Sequence, residues 1–318
     1  MATIRSLSSI NPVAEIVLSQ FEEHAPIFND IDAYIAGGNA DSLKKHRNGI
    51  AQSNIFRAIN TPPSRDKVTI DYFPIPKKIV SGHTDIDKVY EDRNMDITTE
   101  LEFQTREDAQ VDAKMFHEAA WKGDSAAVAT SFDGIMNLVP DARDVDLPDV
   151  LTLPVGGDAS KAAQQTFFEK FISAQHVMPW SEFHCYMNEY FRLRILTAAK
   201  NLGYYDRIQT PDGVIERIGK AIIKGYGYSA DGELLFPQAA SNGDPDPAGV
   251  SSFTFVKWGE RSNLTYVTSA GLVADFNNLV DKRFYRNSWD LDGAFGLQND
   301  KALYKLNGFA LKDYTGSW

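Results

Sequence analysis

Cysteine is nearly absent. Cys185 is the single one in 318 residues, so no disulfide can form within the chain, and a reducing compartment suits it. Long hydrophobic runs are missing as well. None approaches the roughly 20 apolar residues that cross a bilayer, and the opening MATIRSLSSINPVAEIV lacks the unbroken apolar core of a signal peptide. These absences point to a cytoplasmic product. Positive charge is in deficit: 32 Lys+Arg face 43 Asp+Glu, for a net charge of -11. That balance argues against a sequence-independent grip on nucleic acid, which is mostly lysine and arginine on phosphate. Disorder throughout is excluded, because a hydrophobic content of 43% is that of a folded chain with room for one large domain or two ordinary ones.

Catalytic signatures are scarce too. His117-Glu118-Ala119-Ala120-Trp121 begins like a zinc-protease helix, but Trp121 stands where the second histidine must be, so two imidazoles cannot face one metal. Gly225-Tyr226-Gly227 has Ala230 in place of the third glycine of a dinucleotide loop. No G-x-S-x-G elbow and no Walker loop occurs. His184 and Cys185 are strand neighbours that point to opposite faces, so they form no nucleophile pair. Asn263-Leu264-Thr265 fits a glycosylation acceptor, which a cytoplasmic protein does not present to that machinery. Asp141, Asp144, Asp146 and Asp149 lack calcium-loop spacing and read as a solvated, proline-containing link over 141–158. The expected set of catalytic, cofactor-binding and metal residues is therefore empty, and an enzyme is disfavoured.

What is present is a strong helix signal between Thr99 and Pro140. Thr99 with Glu102, and Thr105 with Asp108, have the capping-box spacing of a helix start. Ala109, Ala113, Phe116 and Ala120 recur at helical steps on one face, and Val111, Met115 and Ala119 are expected to widen it. Asp108, Asp112, Lys114, Glu118 and Lys122 are assigned to the opposite side. Gly123 is expected to end the helix in the left-handed conformation, before a small-residue spacer and Phe132-Asp133-Gly134-Ile135.

Around this stretch the chain alternates helix and strand signals. Pro12 to His24 reads as a helix with Val13, Ile16, Val17 and Phe21 on one side. Beyond it, Pro26, Gly37-Gly38-Asn39 and Lys44-Lys45-His46-Arg47 read as an arm or linker with little core of its own. Arg65 to Tyr72 alternates as a half-buried strand, Pro74 and Pro76 bar it from the middle of a sheet, and Ile79 to Val89 is expected to return antiparallel to it. Such a hairpin is marginal alone and needs a partner surface. Ser160 to Gln175 is a helix with Ala163, Phe167, Phe171 and Ala174 on one face. Glu182 to Asn188 is a strand, and Glu189 to Leu202 a helix closed by Gly203. Ile218 to Ile223 and Phe253 to Gly259 read as strands, and two aromatic, glycine-bearing segments, Arg283 to Leu297 and Lys301 to Phe309, follow.

The order of these features resembles that of tailed-phage major capsid proteins of the Hong Kong 97 type, over about residues 60 to 311. The long charged helix, the Gly123-Asp124 turn and Phe132-Asp133-Gly134-Ile135 resemble the family's spine helix and the segment after it. The helix, the strand ending in Met187-Asn188, the next helix and Gly203-Tyr204-Tyr205 resemble the start of its axial domain. The segment with Arg286 and Trp289, then the ending Gly308-Phe309, resemble its last strands. Ala221 departs from the pattern, since the family often carries proline there.

The resemblance implies a mixed α+β fold: an N-terminal arm (1–60), an extended β-hairpin loop (61–97), a peripheral domain built on the spine helix (98–158), an axial domain (159–270) and a return to the peripheral domain (271–318). It implies a non-enzymatic major capsid protein whose hexamers and pentamers close an icosahedral head shell around phage double-stranded DNA, which it does not bind sequence-specifically. An acidic interior would let packaged nucleic acid slide rather than stick. The implied location is the virion, after assembly in the host cytoplasm, with no membrane. Expected partners are further copies of the chain, a portal, a decoration protein and a separate scaffolding protein, the last because only about 95 residues precede the spine helix. An encapsulin-like shell enclosing a cargo enzyme shares the fold and is the alternative, which an apolar groove near the N-terminus would favour. Some relatives join subunits by a lysine-to-asparagine bond. Lys77 or Lys78 with Asn299 or Asn307 would have to serve, and plain surface roles are the simpler expectation.

Overall fold

The N-terminal elements are helices α1 (Ile4–Leu7) and α2 (Pro12–His24) and strands β1 (Ala33–Ile35), β2 (Ala40–His46), β3 (Ile70–Pro76) and β4 (Lys78–Asp87). Helices α3 (Val89–Asp92) and α4 (Ile97–Lys122) lead to strand β5 (Asp144–Leu153), helix α5 (Asp158–Ala174), strand β6 (Phe183–Met187) and helix α6 (Glu189–Leu202). The rest is strand: β7 (Tyr205–Thr210), β8 (Gly213–Ile218), β9 (Ala221–Gly225), β10 (Val250–Val256), β11 (Leu264–Thr268), β12 (Leu272–Val280), β13 (Phe284–Leu297) and β14 (Leu303–Leu311). This computed structural model describes residues 3–8, 11–36, 40–46, 70–92, 97–154, 158–210, 213–236, 250–259, 262–280 and 283–311.

Two cores result. The first lies between α2, α4 and a five-stranded sheet in which β1, β11, β13 and β12 run in that order and β4 also pairs with β13. The second lies under α5 and α6 on one face of a seven-stranded sheet ordered β5-β14-β10-β6-β9-β8-β7. Strand alternation divides the two. Along β6, Phe183, Cys185 and Met187 face the α5–α6 side, while Tyr186 belongs to the first core. Phe253 and Phe255 of β10 likewise join the second core, and Val256 the first.

Helix α4 organises the first core. Thr105, Ala109, Ala113, Phe116 and Ala120 are buried, and the Phe116 ring meets Phe21 of α2 at 5.7 Å and Tyr266 of β11 at 6.1 Å. Alanine on this face lets α2 and the sheet approach the helix closely. Val111 and Met115, expected to widen the face, are instead 54% and 58% exposed. At about 100° per residue they stand two positions from Ala109 and Ala113 and so point the other way. The helix start also differs: α4 begins at Ile97, and Thr105 lies inside it, its hydroxyl donating to Leu101 O at 2.6 Å rather than capping.

Gly123 does not take the left-handed conformation, since it is not among the positive-φ glycines. Its need is space. A Cβ there would stand 2.5 Å from Phe132 O and 2.6 Å from Ala119 O, because Phe132 to Ile135 folds back over the helix end. Gly134 N–H donates to Gly123 O, and Ile135 N–H to Ala120 O, both at 2.8 Å.

Four further expectations are corrected by long-range pairing. Residues 26–36 are not a coreless linker: Ile27, Phe28, Ile31, Ala33 and Ala36 are buried, with Phe28 against Phe21 and Phe116. Strand β4 does not return along β3. It pairs antiparallel with β13 along its ten residues, while β3 pairs with β2. The acidic link is strand from Asp144, an edge pairing parallel with β14, where Pro148 is tolerated at a register break. The run Ile218 to Ile223 is two strands, because Gly219, at φ 63, turns the chain between β8 and β9. By contrast, α2, β6, α6 and β13 lie where their periodicity put them, with Asn11 and Asn188 as N-caps and Gly203 at φ 78 closing α6. The part of the expected strand at 65–69 lies outside the described residues.

Gly134→Ala is expected to destabilise the subunit by about 1–3 kcal/mol, because its Cβ would meet backbone rather than a movable side chain. Gly203→Ala, which meets open space but keeps a positive φ, should cost about 1 kcal/mol. Denaturant unfolding checks both.

Candidate assembly surfaces

The strands β2 and β3 form a sheet of their own, apart from both larger sheets. Seven register pairs run from Ala40↔Pro76 to His46↔Ile70. A two-stranded sheet is marginal without a covering surface, so its root has to be held. Lys77, just after β3, donates to Ala36 O and to Ser269 Oγ, the latter at 3.1 Å. Asp292 on β13 accepts from Thr268 Oγ1 at 2.9 Å and from Ser269 N–H at 3.0 Å. Burial alone would raise the Asp292 pKa. The hydrogen bonds from Ser269 and Thr268 and the charge of Lys77 outweigh it and hold the carboxyl below its ordinary value.

A second feature is apolar and exposed. Phe103, Val111 and Met115 on the outer side of α4 are 59%, 54% and 58% exposed, and Ile79 and Val128, which share a groove with Met115, 66% and 54%. Between α4, the start of β4 and the 128–132 segment runs a groove of about 330 Å³ lined by Ile79, Val80, Met115, Ala119, Val128 and Phe132 among others. Exposed apolar side chains singly are ordinary; grouped along one groove they mark a contact surface.

No protein-family model and no curated protein sequence matches the chain. Solved structures do match. The holo-SrpI encapsulin complex from Synechococcus elongatus PCC 7942 aligns over 98% of this chain and 99% of its own, with a TM-score of 0.59 and 11% identity. The capsid of a native GTA particle aligns over 95% and 92%, with a TM-score of 0.52 and 11% identity. The cyanophage P-SCSP1u capsid aligns over 89% and 86%, again at 0.52 and 11%. The chain has the Hong Kong 97-type capsid fold.

The residues tested for chemistry in the sequence take other roles in the capsid fold. His117 and Trp121 are buried in the first core. Cys185 is buried in the second, where desolvation raises its thiol pKa well above the ordinary value, and His184 lies on the other face of β6 near Asp30. Asp144 receives Lys305 Nζ at 2.8 Å and Asn307 Nδ2 at 2.9 Å, and Asp146 receives Asn307 at 3.0 Å. Asn299 accepts from Lys301 N–H, and Lys78 donates to Ala129 O. Within the protomer, then, Lys77, Lys78, Asn299 and Asn307 each have another partner. Among the described residues no three His, Cys, Asp or Glu side chains are placed to hold a metal ion, and no described helix is long and apolar enough to cross a membrane.

Sequence reasoning missed Asp30. Its carboxylate accepts from Tyr186 OH at 2.8 Å and pairs with Lys224 Nζ at 3.1 Å, tying the N-terminal segment to β6 and β9. An aspartate after Phe28-Asn29 has no local signal for partners more than 150 residues away.

Asp292→Asn is expected to destabilise the subunit by about 1 kcal/mol, a modest figure because the carboxylate is partly hydrated. The sign with pH follows from the lowered pKa. The contribution is present above the ordinary carboxylate value of 3.8 and is lost as pH falls through the lower folded value. Urea unfolding of both proteins across acid pH should show the difference shrinking.

Proposed function

We propose that the chain is the repeating subunit of a closed protein shell, and that the shell is the head of a tailed phage, built from hexamers and pentamers around double-stranded DNA. The observation that carries the shell reading is a capsid fold whose β2–β3 sheet is hydrogen-bonded to neither larger sheet, held to the first core, among the described residues, only through Phe73 and Ile75 of β3, beside an exposed apolar groove along α4. A neighbour supplies the covering surface that a two-stranded sheet needs, and covers the apolar groove along α4. The absence of a catalytic motif from the sequence and, among the described residues, of a metal-holding cluster is in keeping with a mechanical role. The net charge of -11 suits a wall that contains nucleic acid without holding it. On this reading the regions 1–60, 61–97, 98–158, 159–270 and 271–318 serve as arm, extended loop, peripheral domain, axial domain and return. Assembly takes place in a host cytoplasm with a scaffolding protein, a portal and a decoration protein as further partners.

A cargo-enclosing shell is the second reading. It is favoured by the groove beside Met115 and Phe132, whose neighbour Phe116 packs against Phe21 of the N-terminal helix, and by end-to-end alignment with an encapsulin.

Electron microscopy of the purified protein, with nucleic-acid content measured on the same particles, separates the readings. Closed shells that contain or package double-stranded DNA support the phage head. Closed shells that exclude DNA and retain a protein cargo support the second reading, and a permanent monomer contradicts both. Met115→Glu is expected to reduce assembly sharply while changing subunit stability by no more than about 0.5 kcal/mol, as for an exposed site. Sedimentation and denaturant unfolding check the two halves of that statement.

A further inference from the structure

Two histidines lie in the seam where the N-terminal segment and α4 meet the seven-stranded sheet. His117 of α4 is buried, and its Nε2 faces the carbonyl oxygen of Tyr226, just after β9. A carbonyl only accepts, so Nε2 carries the proton and Nδ1 is the bare nitrogen. Nδ1 is enclosed with no hydrogen-bond partner. A second proton there would create a buried donor with nothing to receive it. The charged groups facing the ring are Asp30 from the N-terminal segment and Glu118 from α4 itself. The backbone is pressed against it, since a Cβ on Gly227 would stand 2.9 Å from Nε2.

His184 on β6 is half-buried in the same seam. Its Nδ1 lies 3.1 Å from Tyr186 OH and 3.9 Å from Asp30 Oδ1. Tyr186 donates its proton to Asp30 and accepts from Trp258 Nε1 at 3.1 Å. Toward His184 the hydroxyl can therefore only accept, so Nδ1 carries the hydrogen there and Nε2 is left to titrate. Lys224 from β9, Lys257 beyond β10 and Glu182 before β6 also face this ring. Asp30 is already held by Lys224 and Tyr186, so it is poorly placed to neutralise a new imidazolium.

We propose that His117 and His184 make this seam acid-sensitive, their protonation releasing α4 and the N-terminal segment from the seven-stranded sheet. Burial holds both imidazoles below the ordinary 6.5, Asp30 opposing it at each ring. In an opened seam both would titrate near that ordinary value. The closed form is thus unpenalised above 6.5 and loses ground as pH falls below it. The device belongs to the single subunit and does not rest on what the shell encloses.

Amide hydrogen exchange of the full chain, followed by mass spectrometry from about pH 7.5 to about pH 5 and corrected for intrinsic rates, tests it. Residues 27–34 and 226–236 are expected to lose about tenfold or more of their protection, the factor that one pKa unit gives, while α5 and α6 keep theirs. In the double variant His117→Gln, His184→Gln, whose side chains cannot take a proton, that acid loss should largely vanish. An equal loss in the double variant, or none in the wild type, overturns the proposal. Should the variant not fold, exchange at the imidazole C2 positions of the wild type decides. Midpoints below 6.5 for both rings are expected, and a midpoint at or above it for either overturns the proposal.

Discussion

The packing of one narrow face of α4 carries the rest of the subunit. Alanines at 109, 113 and 120 leave room for α2 and for the five-stranded sheet, and Phe116 fills the middle of the contact. Close approach along a 26-residue helix fixes where its two ends lie. At one end Phe132 to Ile135 folds back through the facing glycines 123 and 134; along its flank Thr84 and Trp289 donate to Asp108 and Asp112. At that same end Trp121 packs edge-on against Tyr186 and Tyr226 at 4.8 and 4.9 Å, which couples the first core to the seven-stranded sheet. Larger residues on the alanine face would separate all of these joints at once.

Because α4 is packed on one side only, its other side is free to serve a second purpose. Phe103, Val111 and Met115 contribute nothing to the core of their own subunit, and β2–β3 reaches that core, among the described residues, only through Phe73 and Ile75 of β3. Polar groups are concentrated at the joints instead. Lys77 and Asp292 hold the end of β3, and Asp30 ties the N-terminal segment to the seven-stranded sheet. On the proposed shell reading this arrangement stiffens what is presented to a neighbour and leaves bare what the neighbour covers.

Local chemistry was legible in the sequence; choice of partner was not. Pro12 at a helix start, the short strand signal at Glu182 to Asn188 and Gly203 at a helix end each act within a few residues, and each element they mark stands where it was expected. The resemblance read from the order of features named the fold. Partner strands were not legible, because β4 chose β13 about 200 residues away over β3 beside it. For the same reason the acidic residues at 144–149 read as loop until β14 supplied a parallel neighbour with Lys305 and Asn307. Val111 and Met115 were misplaced by counting apolar residues without their angle around the helix. Gly123 was given the wrong reason, since crowding by a distant carbonyl leaves no trace in sequence.

The central claim is that the subunit is unfinished alone and completes its burial against neighbours. Amide exchange at residues 40–46 and 70–76, compared between assembled particles and subunits dissociated under mild conditions, tests it most directly. Strong protection in the particle and rapid exchange in the free subunit is the expected result. Equal protection in both, with no larger particle formed at any concentration, would contradict it.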